Sequence, residues 1–230
     1  MKICFLIIGT NKYLDLAHNC AASIKQFVKI DNTQVDCILF TNQHKHLVNE
    51  NLFKEVCYID HLSWPLLTLL RYHNFLRYRQ ILEDYDYIYY IDSDMKIVDF
   101  IGSEILSKRV ATLHPGQTPL PSHLKTFERN NQSTACINDY SYDKYYFNSL
   151  QGGSSKEFLH MCECIVENIN SDLKNNYIAS WHDESYANRY FYENPPTLEL
   201  GPEFATVQKW NNCDKPKIIC LEKDHEAIRQ

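Results

Sequence analysis

The sequence lacks the short motifs that mark several common classes of enzyme. It contains no glycine-rich dinucleotide fingerprint, no phosphate-binding loop of the Gly-Lys-Ser/Thr type, no nucleophile elbow and no His-Glu-x-x-His zinc motif. Without a phosphate-binding loop, a strand end that handles phosphate groups has to do so through a metal ion held by acidic side chains. Acidic residues at strand ends are therefore the first candidates for a site.

The chain also lacks an excess of positive charge and a long apolar run. Its 23 Lys and Arg are outnumbered by 29 Asp and Glu, and the net charge of −6 argues against a nucleic-acid partner or an anionic membrane. The N-terminal apolar stretch, residues 3–8, falls short of a signal-peptide core and far short of a membrane span. We therefore expect a soluble protein without a transmembrane anchor.

The cysteines form neither a disulfide framework nor a zinc motif. Their number, nine, is odd, no pair has the Cys-x-x-Cys spacing, and most lie within apolar runs. Cys162 and Cys164 fall on a helical pattern, where two residues correspond to about 200° around the axis, so they do not share a metal. We therefore expect reduced core residues in a reducing compartment, the cytoplasm, and no glycan at the Asn131 sequon.

The order of predicted elements indicates one α/β domain over residues 1–230. Strands are predicted at residues 2–8, 35–40 and 55–59, with a helix over 14–28 between the first two. Strand, helix and strand at this spacing predict a mostly parallel central sheet flanked by helices. Further strands are predicted at 110–113, 145–150, 197–200 and 218–221, and helices begin near residues 65, 154 and 183.

A run of Tyr and Ile over residues 87–91 stops at two aspartates one residue apart, Asp92 and Asp94. Such a run predicts a central strand that is buried on both faces. Side chains two apart on an extended chain point the same way, so both carboxylates would reach one cation at the C-terminal edge of the sheet. Open α/β sheets bind their ligands at that edge.

The Asp-x-Asp spacing also has a plainer interpretation. Another such pair, Asp84 and Asp86, precedes the same strand, where a solvated turn is expected. Asp92 and Asp94 would likewise suit a strand-to-turn junction without a ligand. The acidic pair at residues 183–184 is ambiguous in a similar way, because carboxylates in the first turn of a helix stabilise its dipole.

Glycine and proline indicate loops and strand ends in the second half of the chain. A loop over residues 114–121 contains three prolines, and a loop of this length in a compact domain is typical of a functional segment. Gly152 and Gly153 are expected to end the strand over 145–150. Ser154 and Glu157 then have the spacing of a capping box at the start of a helix.

Five short motifs follow one another along the chain: Leu62-Ser63-Trp64-Pro65, His114-Pro115-Gly116, Phe127-Glu128-Arg129 with Gln132-Ser133, Tyr145-Tyr146 leading to Gly152-Gly153, and Trp181-His182-Asp183-Glu184-Ser185. In this order and spacing the sequence resembles glycosyltransferase family 6, the α-1,3-galactosyl- and N-acetylgalactosaminyltransferases that include the ABO blood-group enzymes, and especially its short bacterial and viral members. The resemblance covers nearly the whole chain and implies a GT-A type nucleotide-sugar-binding fold.

The resemblance implies a UDP-sugar donor, UDP-GalNAc or UDP-Gal, and a metal ion. The Asp-x-Asp motif, here Asp92, Ser93 and Asp94, would hold Mn²⁺ on the UDP diphosphate, with Mg²⁺ as an alternative, since both ions prefer hard oxygen ligands. The other donor-binding residues that it implies are Ile8, Thr10 and Tyr13 around the uridine, Arg71 near the donor sugar, and Lys223 and Arg229 on the phosphates.

The resemblance also implies the reacting and acceptor-binding residues. Glu184 would lie beside the anomeric carbon, either as a covalent nucleophile or as a stabiliser of an oxocarbenium-like centre, and Asp183 would bind hydroxyls of the donor sugar. The residues implied to hold the acceptor galactose are His114, Thr126 and Trp181.

Departures from the family pattern leave the two substrates open. Gly116 matches the small residue of members that use GalNAc, whereas in the segment Phe147-Asn148-Ser149 the family usually has Gly or Ala in place of Ser149. An added hydroxyl would either crowd the acetamido group or hydrogen-bond to it, a discrimination of about 1–3 kcal/mol. Thr206 and Val207 replace a Trp and an Asp that meet the acceptor in many members.

We therefore expect a metal-assisted retaining α-1,3-glycosyltransferase that moves GalNAc or Gal from a UDP-sugar to the 3-OH of a β-galactoside at the end of a glycan. Two other classes stay open, a non-catalytic carbohydrate- or UDP-sugar-binding protein and, more remotely, a metal-dependent phosphoesterase. The C-terminal residues 223–229 are either a frayed end or a segment that closes over bound UDP.

Overall fold

The computed structural model describes residues 1–210 and 213–223. Its strands are β1 (Lys2–Ile8), β2 (Gln34–Thr41), β3 (Glu55–Tyr58), β4 (Tyr87–Ile91), β5 (Met95–Ile97), β6 (Arg109–Leu113), β7 (Tyr146–Ser154), β8 (Leu198–Leu200), β9 (Thr206–Val207) and β10 (Ile218–Cys220). Its helices are α1 (Tyr13–Phe27), α2 (Leu66–Leu69), α3 (Arg71–Arg77), α4 (Arg79–Leu82), α5 (Ser155–Lys174) and α6 (His182–Glu193).

A seven-stranded sheet forms the centre of the fold, in the order β3-β2-β1-β4-β7-β6-β8. The strands β3, β2, β1 and β4 are parallel neighbours, β7 runs antiparallel to β4 and to β6, and β8 is parallel to β6. The expected α/β fold with a mostly parallel central sheet is therefore confirmed. Because β1 and β4 are parallel neighbours, their carboxyl ends meet at one edge of the sheet.

The central strands are buried on both faces, as their sequences predict. Along β1, Cys4 and Leu6 belong to a core shared with α3, α5 and α6, whereas Ile3, Phe5 and Ile7 belong to a core shared with α1. Two-sided burial fixes the register of a strand, because a slip by one residue would exchange the two sets of side chains. The residues that follow the strand ends are therefore held in defined positions.

The strand β4 ends at Ile91, and the two aspartates lie in a turn that follows it. The Met95 N–H donates to the Asp92 carbonyl at 3.0 Å and closes this turn before β5. The prediction that an extended strand aligns the two carboxylates is therefore wrong in its geometry. The turn nevertheless brings Asp92 and Asp94 to the same cavity.

The prediction that two glycines end β7 is also wrong, because the strand continues through them. A Cβ on Gly152 would collide with the Ile88 carbonyl and the Tyr89 ring of β4. Gly153 has a φ of +146°, which side chains rarely tolerate. The glycines therefore allow β7 to approach β4 closely, as glycines within strands commonly do.

Two predictions about helices differ from the structure in detail. The helix predicted after Pro65 is divided into the three short helices α2, α3 and α4. Ser154 makes no side-chain capping bond at the start of α5, and Glu157 instead pairs with Arg109 of β6 at 2.8 Å. The capping box is therefore absent, since a partner from a distant strand takes the glutamate.

The pairing of β7 with β6 is irregular in the middle of the strand. The register shifts between Ala111 and Thr112 of β6, and the shift skips residues 148–150 of β7. On the other side of β7, Leu150 still pairs with Ile91 of β4, and the Asp92 N–H donates to the Ser149 carbonyl at 2.9 Å. Bulges of this kind change the direction of side chains and are frequent beside binding sites.

A second, three-stranded sheet returns the late part of the chain to the aspartate turn. Its order is β5-β10-β9, with β10 antiparallel to β5 and parallel to β9. The Leu221 N–H donates to the Asp94 carbonyl at 2.9 Å. This bond brings Lys223, two residues further on, beside the turn.

All nine cysteines are free thiols, and most of them are buried, in agreement with the expectation of reduced core residues. Burial raises the pKa of Cys37 and of Cys57 to about 12, so these thiols stay protonated and unreactive at neutral pH. In residues 1–210 and 213–223, no helix combines the length and the apolar character that crossing a membrane requires.

Candidate active site

A cavity of about 220 Å³ opens at the carboxyl ends of β1 and β4. Of the residues predicted to bind the metal, the uridine and the phosphates, all but Arg229 line it, as does Arg71; Arg229 lies outside the described residues, and Asp183, predicted to bind the donor sugar, is not part of the lining. The structure thus brings together positions that are more than 200 residues apart in the sequence. The residues lining the cavity are Ile8, Thr10, Tyr13, His61, Leu62, Ser63, Trp64, Leu67, Thr68, Arg71, Tyr90, Asp92, Ser93, Asp94 and Lys223.

The turn between β1 and α1 forms one wall of the cavity. A Cβ on Gly9 would lie 2.6 Å from the Ala17 Cβ, so a glycine here lets α1 pack close against the end of β1. Thr10 is fully buried, and its hydroxyl lies 2.9 Å from Nδ1 of His61. This contact ties the turn to the segment before α2. The predicted Thr10 is therefore joined by a histidine that the sequence did not single out.

Asp92 is held by several donors at the floor of the cavity. Its Oδ2 accepts a hydrogen bond from the Ser149 hydroxyl at 2.6 Å, and its Oδ1 accepts from the Tyr90 hydroxyl and from Arg71 Nη1 at 3.3 Å. Although burial disfavours the charge, Arg71 and the two hydroxyls hold the pKa of Asp92 below its ordinary value. Asp92 is therefore a carboxylate at neutral pH.

Asp94 has a different partner. Its Oδ2 lies 2.5 Å from Nζ of Lys223, and the Lys223 side chain is only 17% exposed. Burial and the neighbouring Asp92 charge raise the pKa of Asp94, and the Lys223 charge opposes this effect. In this structure the lysine therefore supplies positive charge at the position where the sequence predicts a metal.

The chemistry of the two aspartates fits a Mg²⁺ or Mn²⁺ ion that is shared with a ligand. The part of the chain that the structure describes contains no group of three or more His, Cys, Asp or Glu side chains placed to hold a metal. Such ions are commonly bound by one or two carboxylates, with the remaining ligands from substrate phosphates and water. The residues present therefore suit an ion bound together with a diphosphate.

Arg71 connects this pair to a second acidic centre. Its Nε lies 2.8 Å from Oδ2 of Asp183, its Nη1 reaches Asp92, and its guanidinium carbon lies 4.4 Å from the centre of the Tyr90 ring. Burial alone would disfavour the charge, but Asp183 and the other neighbours outweigh burial and raise the pKa of Arg71 above its ordinary value. Arg71 is thus a permanent cation between two carboxylates.

Asp183 and Glu184 begin α6 and face β7. The Asp183 Oδ2 accepts from Asn148 Nδ2 at 2.5 Å, in addition to Arg71. The Glu184 Oε2 accepts from the Asn148 N–H at 3.1 Å, and its Oε1 accepts from the Tyr145 hydroxyl at 2.9 Å. Glu184 therefore has two specific hydrogen-bond donors, at the start of β7 and just before it, in addition to its place in the first turn of α6.

Burial shifts the titration of both acids. It raises the pKa of Asp183 to about 6, against the opposing effect of Arg71, and raises the pKa of Glu184 to about 7. Carboxyl groups with raised pKa values in a cleft are frequent at catalytic centres. The two acids therefore differ from the ordinary surface carboxylates of this chain.

The predicted acceptor-binding residues gather around Tyr145. The His114 ring lies 5.7 Å from the Tyr145 ring and 4.9 Å from the Phe147 ring, and the Thr126 hydroxyl hydrogen-bonds to Tyr145. His114 Nδ1 accepts from the Gly116 N–H at 3.0 Å, and burial lowers the pKa of His114 to about 4. The imidazole is therefore neutral and carries its proton on Nε2.

The remaining predicted residues, Trp181, Gly116 and Ser149, lie in three different settings. Trp181 directly precedes α6 and is 51% exposed. Gly116 lies under the ring of Trp210. The Ser149 hydroxyl, which we expected near the donor sugar, is bonded to Asp92.

Sequence reasoning assigned no role to the two residues that orient the acids at the start of α6. Asn148 contacts both Asp183 and Glu184, and Tyr145 orients Glu184. The available signal for Asn148 was an amide side chain inside a predicted strand, because buried polar groups in strands require partners. The identity of those partners depends on how β7 meets α6.

Taken together, the mostly parallel sheet, the cavity at its carboxyl edge and the paired acids define an α/β protein of the GT-A type. The family model described as glycosyltransferase family 6 matches residues 62–230. The chain therefore belongs to glycosyltransferase family 6.

Named relatives agree with this assignment. The chain is 37% identical over 148 residues to histo-blood group ABO system transferase 2 of Rattus norvegicus, covering 63% of this chain and 44% of the relative. It is 30% identical over 191 residues to the O-antigen biosynthesis glycosyltransferase WbnI of Escherichia coli, covering 82% and 81%. It is 30% identical over 152 residues to globoside alpha-1,3-N-acetylgalactosaminyltransferase 1 of Gallus gallus, covering 63% and 43%. The chain thus spans less than half the length of the rat and chicken relatives.

Proposed function

We propose that the protein is a retaining α-1,3-glycosyltransferase that moves GalNAc or Gal from a UDP-sugar to the 3-OH of a β-galactoside. The observation that carries the proposal is a continuous line of contacts, from Asp92 through Arg71, Asp183 and Asn148 to Glu184. This line joins an acid pair suited to a metal-bound diphosphate to a carboxylate with a raised pKa. Family membership supports the same reaction class.

The donor would occupy the cavity at the ends of β1 and β4. Asp92 and Asp94 would hold Mn²⁺, or Mg²⁺, on its diphosphate, and Lys223 lies close enough to Asp94 to move onto a phosphate oxygen. The bound ion would neutralise the negative charge that develops on the departing UDP. Arg71 adds a fixed positive charge on the side toward Asp183.

Glu184 would act at the anomeric carbon. The Asn148 N–H and the Tyr145 hydroxyl each bond one oxygen of this carboxylate and so fix its orientation. Retention of configuration then follows either from a covalent glycosyl intermediate on Glu184 or from attack on the leaving-group side, with Glu184 stabilising the positive centre. Isolation of a sugar adduct on Glu184 would identify the covalent route.

The acceptor would lie on the side of Tyr145. The neutral His114 ring offers Nε2–H to an acceptor hydroxyl, since its Nδ1 already accepts from the Gly116 N–H. Thr126 hydrogen-bonds to Tyr145, and Trp181 offers an exposed aromatic surface next to Glu184. A galactoside-terminated glycan matches this combination of a polar donor and apolar rings.

The choice of donor depends less on Ser149 than the sequence predicts. Because the Ser149 hydroxyl bonds Oδ2 of Asp92, its partner is the proposed metal ligand and not the sugar. We therefore propose that both UDP-GalNAc and UDP-Gal are accepted as donors, with Phe147 and Asp183 nearest the sugar. The proposed partners are the nucleotide-sugar and the glycan, and the buried free thiols support a reducing compartment, the cytoplasm.

The proposed function predicts UDP release that depends on an acceptor. The protein would be incubated with UDP-GalNAc or UDP-Gal, with and without lactose, and released UDP measured. Release should require lactose and Mn²⁺, stop in EDTA and return when Mn²⁺ is added. Asp94→Asn should lose most of this activity, because it removes half of the charge of the acid pair.

A matched control comes from the second Asp-x-Asp. Asp84 is exposed in a turn before β4, so Asp84→Asn should transfer like the unaltered protein. Sugar binding without UDP release, over a panel of galactosides, would favour the non-catalytic binding protein. Release of UDP at an equal rate with and without acceptor would indicate a hydrolase, and full activity in EDTA would remove the metal from the proposal.

A further inference from the structure

The three tryptophans of the chain are all more than half exposed. The exposed fraction is 55% for Trp64, 51% for Trp181 and 53% for Trp210. Tryptophan combines a large apolar ring with an N–H donor, and it is therefore enriched at surfaces that contact ligands or partners. Trp64 lines the donor cavity and Trp181 precedes the helix of Glu184, whereas Trp210 belongs to neither of these places.

Trp210 reaches the site from the late part of the chain. It closes a turn after β9, where its N–H donates to the Val207 carbonyl at 2.9 Å. Its ring lies over Gly116, because a Cβ built on that glycine would be 2.9 Å from Cζ3 and 3.0 Å from Cη2 of the indole. The same point is 3.4 Å from Cε1 of His114. Indole and imidazole therefore meet over one glycine.

The need for glycine at position 116 follows from this contact. Gly153 is the glycine whose backbone adopts a positive φ in residues 1–210 and 213–223, so Gly116 is not there to permit an unusual conformation. Any side chain at 116 would come closer to the indole than Cβ atoms normally lie to other atoms. The contact with the Trp210 ring therefore explains why residue 116 is a glycine. This explanation does not involve the donor sugar.

Gly116 is connected to Glu184 through the side chains of His114 and Tyr145. The His114 ring packs edge-on against Tyr145 at 5.7 Å, and the Tyr145 hydroxyl donates to Glu184 at 2.9 Å. A path of two contacts thus runs from the rings over Gly116 to Glu184. A sugar hydroxyl near Glu184 would leave the body of that sugar, or the next one, beside the indole.

We propose that Trp210, seated on Gly116, is the aromatic platform against which the acceptor galactoside packs, and that it determines acceptor selectivity. This inference rests on the proposed transferase function. The apolar face of a galactoside suits an exposed indole, and the Nε2–H of His114 supplies a polar contact at its edge. Trp210 is thus a specificity-determining residue on a segment where the chain carries Thr206 and Val207 instead of the expected Trp and Asp.

The test compares Trp210→Ala, Trp210→Phe and Gly116→Ala with the unaltered protein. We expect Trp210→Ala to raise the KM for lactose at least tenfold, and Trp210→Phe to raise it less, since a ring is retained. The KM for the donor and the slow hydrolysis of the donor without acceptor should stay within twofold. Phe100→Ala serves as the matched control, because Phe100 is 61% exposed and packs on Phe27 at the far end of α1.

Gly116→Ala tests whether the contact between Gly116 and the Trp210 ring is needed for lactose binding. The added methyl should displace Trp210 and weaken lactose binding, whereas the same change in the Trp210→Ala background should cost nothing further. This non-additive pattern is the expected sign of direct contact. Additive effects, or a Gly116→Ala protein that changes its ratio of UDP-GalNAc to UDP-Gal use with an unchanged KM for lactose, would overturn the inference.

Direct binding separates this inference from the proposed function. Tryptophan fluorescence is titrated with methyl β-galactoside in the presence of UDP, and Trp210→Phe should lose most of the change in signal. If the unaltered protein transfers sugar and the variants bind and use lactose equally well, the platform is wrong and the function stands. If the protein transfers nothing but loses galactoside binding with Trp210→Ala, the function is wrong and the platform stands.

Discussion

Asp183 and Glu184 show how burial changes the titration of single residues in this fold. Burial raises the pKa of Asp183 to about 6, although Arg71 forms an ion pair with it. Burial also raises the pKa of Glu184 to about 7, although two hydrogen-bond donors stabilise its charged form. The groups that face Glu184 are the Tyr145 hydroxyl, the Asn148 N–H and the Asp183 carboxylate. The fraction of Glu184 that is ionised therefore changes across the neutral range.

This titration predicts a pH dependence of transfer. Because a carboxylate is the reactive form, kcat/KM should be low at pH 6 and rise toward pH 8, with a midpoint near the pKa of Glu184 at about 7. Glu184→Gln removes the charge and should lower kcat by roughly 10² or more and abolish this acid limb. Steady-state rates from pH 5.5 to 8.5 measure both effects.

The control lies at the opposite end of the same helix. Glu193 is exposed and pairs with Arg189, so Glu193→Gln should keep both the rate and the profile. A Glu184→Gln protein with an unchanged kcat would leave Glu184 with a structural role only. An acid limb that persists in the Glu184→Gln protein would assign the titration to another group, such as Asp183.

At the scale of elements, β7 is the strand that joins the two halves of the site. Ser149 contacts Asp92 on the donor side, and the preceding residue, Asn148, contacts both acids at the start of α6. Neighbouring residues of a strand normally point to opposite faces, so Ser149 and Asn148 reach different partners. Both residues lie within the bulge at 148–150, where the pairing with β6 is interrupted.

The contact of Ser149 predicts a defect in metal binding. Ser149→Ala removes the hydroxyl that bonds Oδ2 of Asp92, so we expect Mn²⁺ to bind the UDP complex several-fold more weakly. The ratio of kcat/KM for UDP-GalNAc and UDP-Gal should change less than about threefold, since the hydroxyl donates its hydrogen bond to Asp92. Paramagnetic resonance of free Mn²⁺ measures the first quantity, and UDP release measures the second.

A serine elsewhere in the chain provides the comparison. The Ser141 hydroxyl donates to Asp139 at the same 2.6 Å, but in an exposed turn. Ser141→Ala should therefore leave Mn²⁺ binding unchanged. If Ser149→Ala instead shifts the choice of donor at constant Mn²⁺ affinity, Ser149 selects the sugar as the sequence first suggested.

Local patterns in the sequence predicted the strands of the sheet but not the side-chain contacts between distant elements. The buried runs of β1 and β4 place Ile8 and Asp92 at one edge, because strand burial and helix spacing follow from nearby residues. The contacts of Asn148 and Tyr145 could not be predicted in this way. They depend on the register of β7 against β4 and on the entry of α6, which are set by residues far apart in the chain.

At the scale of the whole molecule, the late part of the chain returns to the aspartate turn in its middle. The small sheet β5-β10-β9 carries Lys223 to Asp94, a contact between residues 129 positions apart. Both side chains are largely buried, at 17% and 7% exposed. Removal of the lysine would leave Asp94 close to Asp92 without its counter-charge.

This pair predicts a link between metal binding and thermal stability. Without metal, Lys223→Met should lower the melting temperature by roughly 3–8 °C, because one partner of a largely buried ion pair is lost. Added Mn²⁺ with UDP should raise the melting temperature of the variant more than that of the unaltered protein, since the ion supplies the missing charge. Thermal melts with and without Mn²⁺ and UDP measure the difference.

Lys217→Met is the control for this experiment. Lys217 lies away from the aspartate turn and pairs with Glu104 at 2.7 Å. Its loss should therefore leave the response to Mn²⁺ unchanged. An equal response of Lys223→Met and the unaltered protein to Mn²⁺ would mean that the lysine and the ion do not share a position. Lys223 would then be a structural residue of the C-terminal segment.

The bulge in β7 has a consequence for divergence within the fold. Leu150 pairs with Ile91 of β4 and the Ser149 carbonyl accepts from the Asp92 N–H, whereas residues 148–150 have no partner in the ladder with β6. Strand β6 contacts this stretch through a side chain, the Thr112 hydroxyl on the Leu150 carbonyl at 2.9 Å, so backbone shifts in β6 should reach Ser149 less directly than shifts in β4. We therefore expect relatives with different acceptors to vary more in β6 and β8 than in β4 and β7, which hold Ser149 on Asp92 and Asn148 on Glu184.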